Sequence, residues 1–234
     1  LRDLLAAYAY RSGYSDATLP GLAVQYADFA IWQRERVARG AGAEGVGAQR
    51  AYWRAQLADL PQVTDLPMDR PRPAVMVTDA AVLRADIDDR LASGVETFAR
   101  DRGLTMFMVT HAALAITIAR LAATDDVVVS SAIAGRTDPA TDDLVGMFVN
   151  TLLLRTRLSG GETIANFLSE VRATDVDAFA NSDVQFDDLV DELAPDRATA
   201  YAPLAQIGFT HVDAARRAPD AQVAVGGITV QPLA

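Results

Sequence analysis

The spacing of apolar and polar positions changes along the chain, and the changes mark out its elements. Leu1 to Tyr10, LRDLLAAYAY, is spaced as a helix and runs into a turn-rich stretch, RSGYSDATLPG. Leu22 to Val37 predicts a second helix, with Val24, Ala27 and Ile31 on one side and Tyr26, Phe29 and Trp32 flanking them. Ala38 to Gln49 is small and glycine-rich, which predicts a flexible loop. A helix over Arg50 to Leu60 stops before Pro61. Leu66 to Pro73, LPMDRPRP, has three prolines in eight residues and predicts an extended connector.

Past the connector, Ala81 to Ile87 alternates as a strand does. Asp88 or Asp89 can cap a helix carrying Leu91, Val95 and Phe98 on one face, closed by Gly103. Thr105 opens a helix, TMFMVTHAALAITIARLAA, that is apolar almost all round and so belongs at the centre of a fold. DVVVSSAIAGR, Asp126 to Arg136, reads as a buried strand, and so does Met147 to Leu158, turning amphipathic at Arg155 and Arg157. Thr163 caps a helix whose Ile164, Phe167, Leu168 and Val171 face inward. A short helix with Phe186, Leu189, Val190 and Leu193 stops at Pro195, and strands over 204–212 and 222–230 end the pattern. Helices alternating with strands over a largely buried sheet predict an α/β fold.

One position breaks the apolar pattern. DLVGMFVNTLLLR, Asp143 to Arg155, is apolar or glycine except at Asp143, Asn150, Thr151 and Arg155. A buried amide costs on the order of 1–3 kcal/mol unless its hydrogen bonds are made. Asn150 therefore either pins another segment or lines a polar cavity.

Composition narrows the classes of function. The 234 residues are 50% hydrophobic and 22% charged, the balance of a folded protein of one large or two small domains. The net charge of −10 argues against general nucleic-acid binding, which needs a basic surface. All 21 basic residues are arginine, which with the abundant alanine reads as the bias of a GC-rich genome. The absence of cysteine rules out disulfides, thiol nucleophiles and thiolate metal sites. No apolar run reaches a membrane span of about 18 residues and no signal peptide is visible, so the expectation is a cytoplasmic protein. The chain opens mid-pattern and without methionine, and the expectation is a piece of something larger.

Candidate chemistry is sparse. His111 sits in the apolar helix and reads as a satisfied core histidine in preference to a catalytic base; His211, at the end of a strand, reads the same way. Two distant histidines without cysteine do not make a metal site. The acid pairs Asp125–Asp126, Asp142–Asp143 and Asp187–Asp188 flank elements, as caps and solvated turns do. No nucleophile elbow, P-loop or dinucleotide fingerprint occurs. What remains is a polar seam between two strands: Ser130 and Ser131 in one, Asn150 in the other, with Gly135 and Arg136 where the first ends. Arg136 reads most simply as a surface or cap residue.

Six stretches in order carry a family resemblance: YADFAIWQ (26–33), LPMDRPRP (66–73), DDVVVSSAIAGRT (125–137), LVGMFVNTLLLR (144–155), NSDVQFDDLV (181–190) and APLAQIGF (202–209). They resemble successive core motifs of nonribosomal peptide synthetase condensation domains. The resemblance covers nearly the whole chain, and the V-G-x-F-V-N-T block is its most specific part. It implies a chloramphenicol-acetyltransferase-like fold, in which a mixed sheet with packed helices forms each of two lobes around a tunnel. Such domains join a carrier-tethered donor acyl or peptidyl group to the amine of a carrier-tethered aminoacyl group. Both ride on phosphopantetheine arms, no cofactor or metal is bound directly, and a neighbouring adenylation domain is expected. The family's H-H-x-x-x-D-G motif does not occur in this chain, and neither His111 nor His211 inherits its role.

By this resemblance residues 1–73 are linking helices and connector, and 74–234 are a C-terminal lobe whose last strands are incomplete. Its expected partners are the missing N-terminal lobe, carrier domains and the adenylation domain. Tunnel candidates are Ser130, Ser131, Gly135, Arg136 and Asn150. Tyr26, Asp28, Trp32, Gly146, Asp183 and Phe186 are structural motif residues. Three departures stand out: Ser130-Ser131-Ala132 where the family has a small-residue pattern ending in proline, Gln185 in place of a proline, and Ala205 in place of a phenylalanine. The leading expectation is half of an amide-forming enzyme, inactive alone. The alternatives are a catalytically silent recruitment module and another acyltransferase of the same superfamily.

Overall fold

A computed structural model describes residues 2–16, 19, 21–39, 46–77, 79–136, 138–193, 198–212, 223–225 and 228–230. In chain order the elements are α1 (Arg2–Arg11), α2 (Tyr26–Ala38), α3 (Gly47–Gln56), α4 (Asp89–Asp101), α5 (Met106–Leu121), β1 (Asp126–Ile133), β2 (Asn150–Arg157), α6 (Ile164–Ala180), α7 (Phe186–Leu193), β3 (Val223–Val225) and β4 (Ile228–Val230). They fall into two compact units. One is Leu1–Phe29 with Asp138–Gly146 and His211–Ala234; the other is Ala30–Thr137 with Met147–Thr210.

In the first unit α1 buries Leu5 and Ala9, and the chain turns out of it as the Tyr14 N–H donates to Ala9 O at 2.9 Å. The Tyr8 and Tyr14 rings stack, with centroids 6.5 Å apart. At the start of α2 the Gln25 N–H donates to Asp28 Oδ2 at 2.8 Å, which places a carboxylate at the positive helix end. Asp138 caps a 3-10 turn over Pro139–Thr141. The single strand expected over 222–230 is two short antiparallel ones, β3 and β4.

The second unit holds the main core. β1 and β2 pair antiparallel with Asp126 opposite Arg157 and Ile133 opposite Asn150. Side chains alternate between sheet faces, so Val127, Val129 and Ser131 share a face with Asn150, Leu152, Leu154 and Thr156. Thr156 reaches His111 of α5 from this face. The helices begin where the side-chain caps fall: Asp88 accepts from Leu91 N–H, Thr105 from Met108 N–H and Thr163 from Asn166 N–H. Gly103, at φ 62°, turns the chain out of α4. Trp53, Val127, Val129, Leu152, Leu153, Leu154, Val171 and Leu189 are fully buried.

Several expectations are corrected. Among the described residues Ala81–Ile87 joins no ladder, and Leu83 is 96% exposed; alternation supplies a strand's faces, but pairing needs a partner. Residues 204–212 contribute one parallel bridge, Gly208 to Ser130, and begin at Leu204 in a left-handed conformation (φ 63°) that a strand does not adopt. The helix α2 buries no residue, with Ile31 56% exposed. The buried stripe of α5 is narrower than its composition suggests: His111, Ala112, Ala115, Ile118 and Ala119. Ile164 lies exposed in the first turn of α6, whereas Phe167, Leu168 and Val171 are buried. Pro195, the expected stop of α7, lies outside the described residues.

Candidate functional site

Asn150 begins β2, is 6% exposed, and makes four hydrogen bonds. Its Nδ2 donates to Ser182 O at 3.0 Å and Val184 O at 2.8 Å; its Oδ1 accepts from Thr151 N–H at 2.8 Å and Phe186 N–H at 3.1 Å. Both amide protons and both oxygen lone pairs are engaged, so the side chain is fully used as a clip. What it clips is the turn between α6 and α7.

Other side chains hold the same turn. Asp183 Oδ2 accepts from Arg36 Nη2 and from Gln49 Nε2, both at 2.8 Å. The Asp183 N–H donates back to Gln49 Oε1 at 3.0 Å. Trp53 Nε1 donates to Asn181 O at 2.8 Å, and Val184 is buried. The turn is therefore tied to α2, α3 and β2 together. Phe186 opens α7 and packs on the core at its edge. Arg36 also lies over the Trp32 ring, 4.9 Å from its centroid, and that ring is half-exposed.

The two serines of the expected seam separate. Ser131 is buried on the face that carries Asn150, while Ser130 lies on the other. Ser130 forms the outer edge of β1: its N–H and Oγ donate to Ile207 O at 2.9 and 3.3 Å, and its carbonyl accepts from Phe209 N–H at 2.8 Å. Beyond β1, Gly135 has φ 63°, and a Cβ there would fall 1.8 Å from Phe148 O, so only glycine fits. Arg136 lies 4.0 Å from the centroid of the buried Phe148 ring, a cation against an aromatic face. Gly135, Arg136 and Phe148 thus form one corner where the two strands diverge. In the first unit, Gly146 lies against the Tyr26 ring, where a Cβ would sit 2.1 Å from Cδ2.

His111 is the core histidine the pattern suggested, with no exposure. Its Nδ1 is 2.8 Å from Asp175 Oδ1 and its Nε2 is 3.4 Å from Thr156 Oγ1. Among the described residues Asp175 Oδ2 accepts nothing. His211 is exposed and outside any strand. Of the acid pairs, Asp126 and Asp188 are partners of arginines instead of solvated caps. Arg155 Nε and Nη2 reach Asp126 at 2.8 and 2.5 Å, and Arg50 reaches Asp188 at 2.6 Å.

Arg155 corrects the amphipathic reading of β2: it is 4% exposed, and its remaining protons go to the carbonyls of Gln56, Ala58 and Asp59 at the end of α3. The clue was an arginine inside a leucine run, which is tolerated only with every donor paired. Arg54 and Arg50 hold the Glu192 carboxyl below its usual range, the Arg54 hydrogen bond first. Burial, with Asp177 and Asp175 nearby, pushes the Tyr52 hydroxyl up to about 12. Of the two histidines, His111 is buried in the core and His211 is exposed. The arrangement is a turn held by paired polar side chains and a corner where a guanidinium lies against an aromatic ring.

Residues 1–222 match the family model described as Condensation domain. The chain is 40% identical over 232 residues to the isonitrile lipopeptide synthase of Mycobacterium tuberculosis, covering 99% of this chain and 9% of that protein. To the dimodular nonribosomal peptide synthase of Bacillus subtilis it is 38% identical over 223 residues, 95% of this chain and 9% of that one. The X-domain from teicoplanin biosynthesis, solved in complex with OxyB, superposes with a TM-score of 0.80 at 29% identity, over 88% of this chain and 46% of that one. The chain thus spans under a tenth of these synthetases and about half of the solved domain. With its clipped turn behind a two-stranded core, it belongs to the condensation-domain family of nonribosomal peptide synthetases, of chloramphenicol-acetyltransferase-like fold.

Proposed function

We propose that residues 1–234 are the linking segment (1–73) and second lobe (74–234) of a condensation domain within a longer synthetase. The domain forms an amide bond between a carrier-tethered acyl or peptidyl group and the amine of a carrier-tethered aminoacyl group. The observation that carries this reading is the family match across 1–222. The chain's own contribution is positional: a wall stiffened by Asn150 and Asp183 and a corner shaped by Gly135 and Arg136, with Ser130 and Ser131 in the adjoining strand. Holding two thioester-borne groups in line converts a bimolecular step into an effectively unimolecular one. The base is supplied by the other lobe, and the phosphopantetheine arms come with the carrier domains.

The test is to assay the longer protein with donor- and acceptor-loaded carriers and look for the amide product by mass spectrometry. Product that disappears when either carrier is left unloaded supports the reading. A second reading, a recruitment module without catalysis, is favoured by the likeness to the X-domain, which was solved in complex with OxyB. Tight protein binding by the longer chain with no amide product would establish that reading and reject the first.

A further inference from the structure

Among the described residues other than glycine, Asp59, Ala123 and Leu204 have a left-handed backbone, and two of these three line one cavity. The cavity lies between the stretch that follows α3 and the stretch that follows α7. Its volume, about 330 Å³, is that of a small-molecule site. Both stretches are held in place by side chains. Arg155 donates to the carbonyls of Gln56, Ala58 and Asp59 at 3.0, 2.6 and 3.4 Å. Across Leu204 the Ala205 N–H donates to Pro203 O at 2.7 Å, a γ-turn of the rare, strained left-handed kind. Gln206 secures that turn: its Oε1 accepts from Thr64 N–H at 2.9 Å, and its Nε2 donates to Gln62 O and Ala202 O at 3.1 and 2.9 Å. Strained backbone persists only where its surroundings impose it, and it gathers at ligand sites. A cavity held this way is preformed, so little has to be ordered on binding.

The lining sets the chemistry of the ligand. Leu57, Leu60, Leu193 and Leu204 supply apolar wall. Tyr201 and Gln62 add a hydroxyl and an amide, 3.4 Å apart. Asp59 is the one charged residue among the described residues that line the cavity, and no described residue pairs with its carboxylate. A lone carboxylate beside leucines favours an ammonium group on an aliphatic body and repels an anion. We propose that this cavity binds a compact aliphatic amine, its chain against the leucines and its ammonium on Asp59. The site shares no residue with the clipped turn or with the Gly135–Arg136 corner, and it stands independently of the function proposed above.

Isothermal titration calorimetry of the longer protein at neutral pH with n-hexylamine, 1-hexanol and hexanoate tests this. Hexylamine should bind saturably at one site, with a Kd of about 1 mM or tighter. It should bind about 5-fold better than hexanol, the gain from an ammonium–carboxylate contact, and hexanoate should bind most weakly. Asp59→Asn keeps a residue that tolerates the left-handed backbone and should bring hexylamine down to the hexanol value. Leu60→Trp should fill the cavity and abolish binding of both, with circular dichroism unchanged to show that the fold survives. No saturable binding of hexylamine overturns the proposal. So does hexylamine binding no better than hexanol or hexanoate, or binding that Asp59→Asn leaves unaltered.

Discussion

Asn150 shows how one residue decides a turn. Its amide is matched to two carbonyls, Ser182 and Val184, and to two N–H groups, Thr151 and Phe186. Asn150→Ala strands these partners at the edge of the core and should cost about 2–4 kcal/mol in urea unfolding; Asn150→Asp, with a carboxylate facing both carbonyls, should cost at least as much. Two backbone positions bracket the opposite behaviours. At Gly135 a methyl group meets the Phe148 carbonyl at 1.8 Å and the left-handed backbone, φ 63°, is strained by any side chain. Gly135→Ala should therefore lower stability by about 2–5 kcal/mol. Ala123, at φ 49° just beyond α5, already bears such strain, and Ala123→Gly should raise the melting temperature, by about 0.5–1 kcal/mol of stability. The sequence marked Asn150 by its apolar setting; it did not mark Ala123, whose conformation follows from how the chain leaves α5 for β1.

Between elements the question is which polar groups find one another. His111 on α5, Asp175 on α6 and Thr156 on β2 tie three core elements together. His111→Leu leaves the Asp175 carboxylate unpaired and should cost about 3–5 kcal/mol. Replacing both by leucine should cost less than the sum of the single changes, and a double-mutant cycle by chemical unfolding measures the difference. Tyr52, on α3, sits near Asp177 and Asp175, and burial first, then these carboxylates, lifts its hydroxyl from 10.0 to about 12. A raised value means the folded state holds the proton longer. This contribution to stability is therefore full below about pH 10 and lost as pH rises toward 12. Tyr52→Phe should flatten that alkaline slope, and tyrosinate absorbance should show one group ionising late. The histidine was legible as a core residue because its helix is apolar; its partner was not, because Asp175 looks like any polar position on an amphipathic helix.

At the scale of the molecule, the proposed placement of the base in the other lobe predicts that the 234 residues alone give no amide with loaded carriers. Turnover by this chain as sole catalyst would contradict that. Local periodicity, caps and breakers are properties of short stretches, and the sequence by itself determined what depends on them: the starts of α4, α5 and α6 at Asp88, Thr105 and Thr163, the two central strands, and the ordered motifs that identify the family. Pairing across distance is not local. Only the tertiary structure decided that Arg155 is buried against Asp126 and that Ser130 and Ser131 face opposite ways. It also decided that Asp183 joins Arg36 and Gln49, and that Ala81–Ile87 pairs with no strand among the described residues. An alternating segment becomes a strand, and a buried polar side chain becomes affordable, only where the fold brings the complementary group within hydrogen-bonding reach.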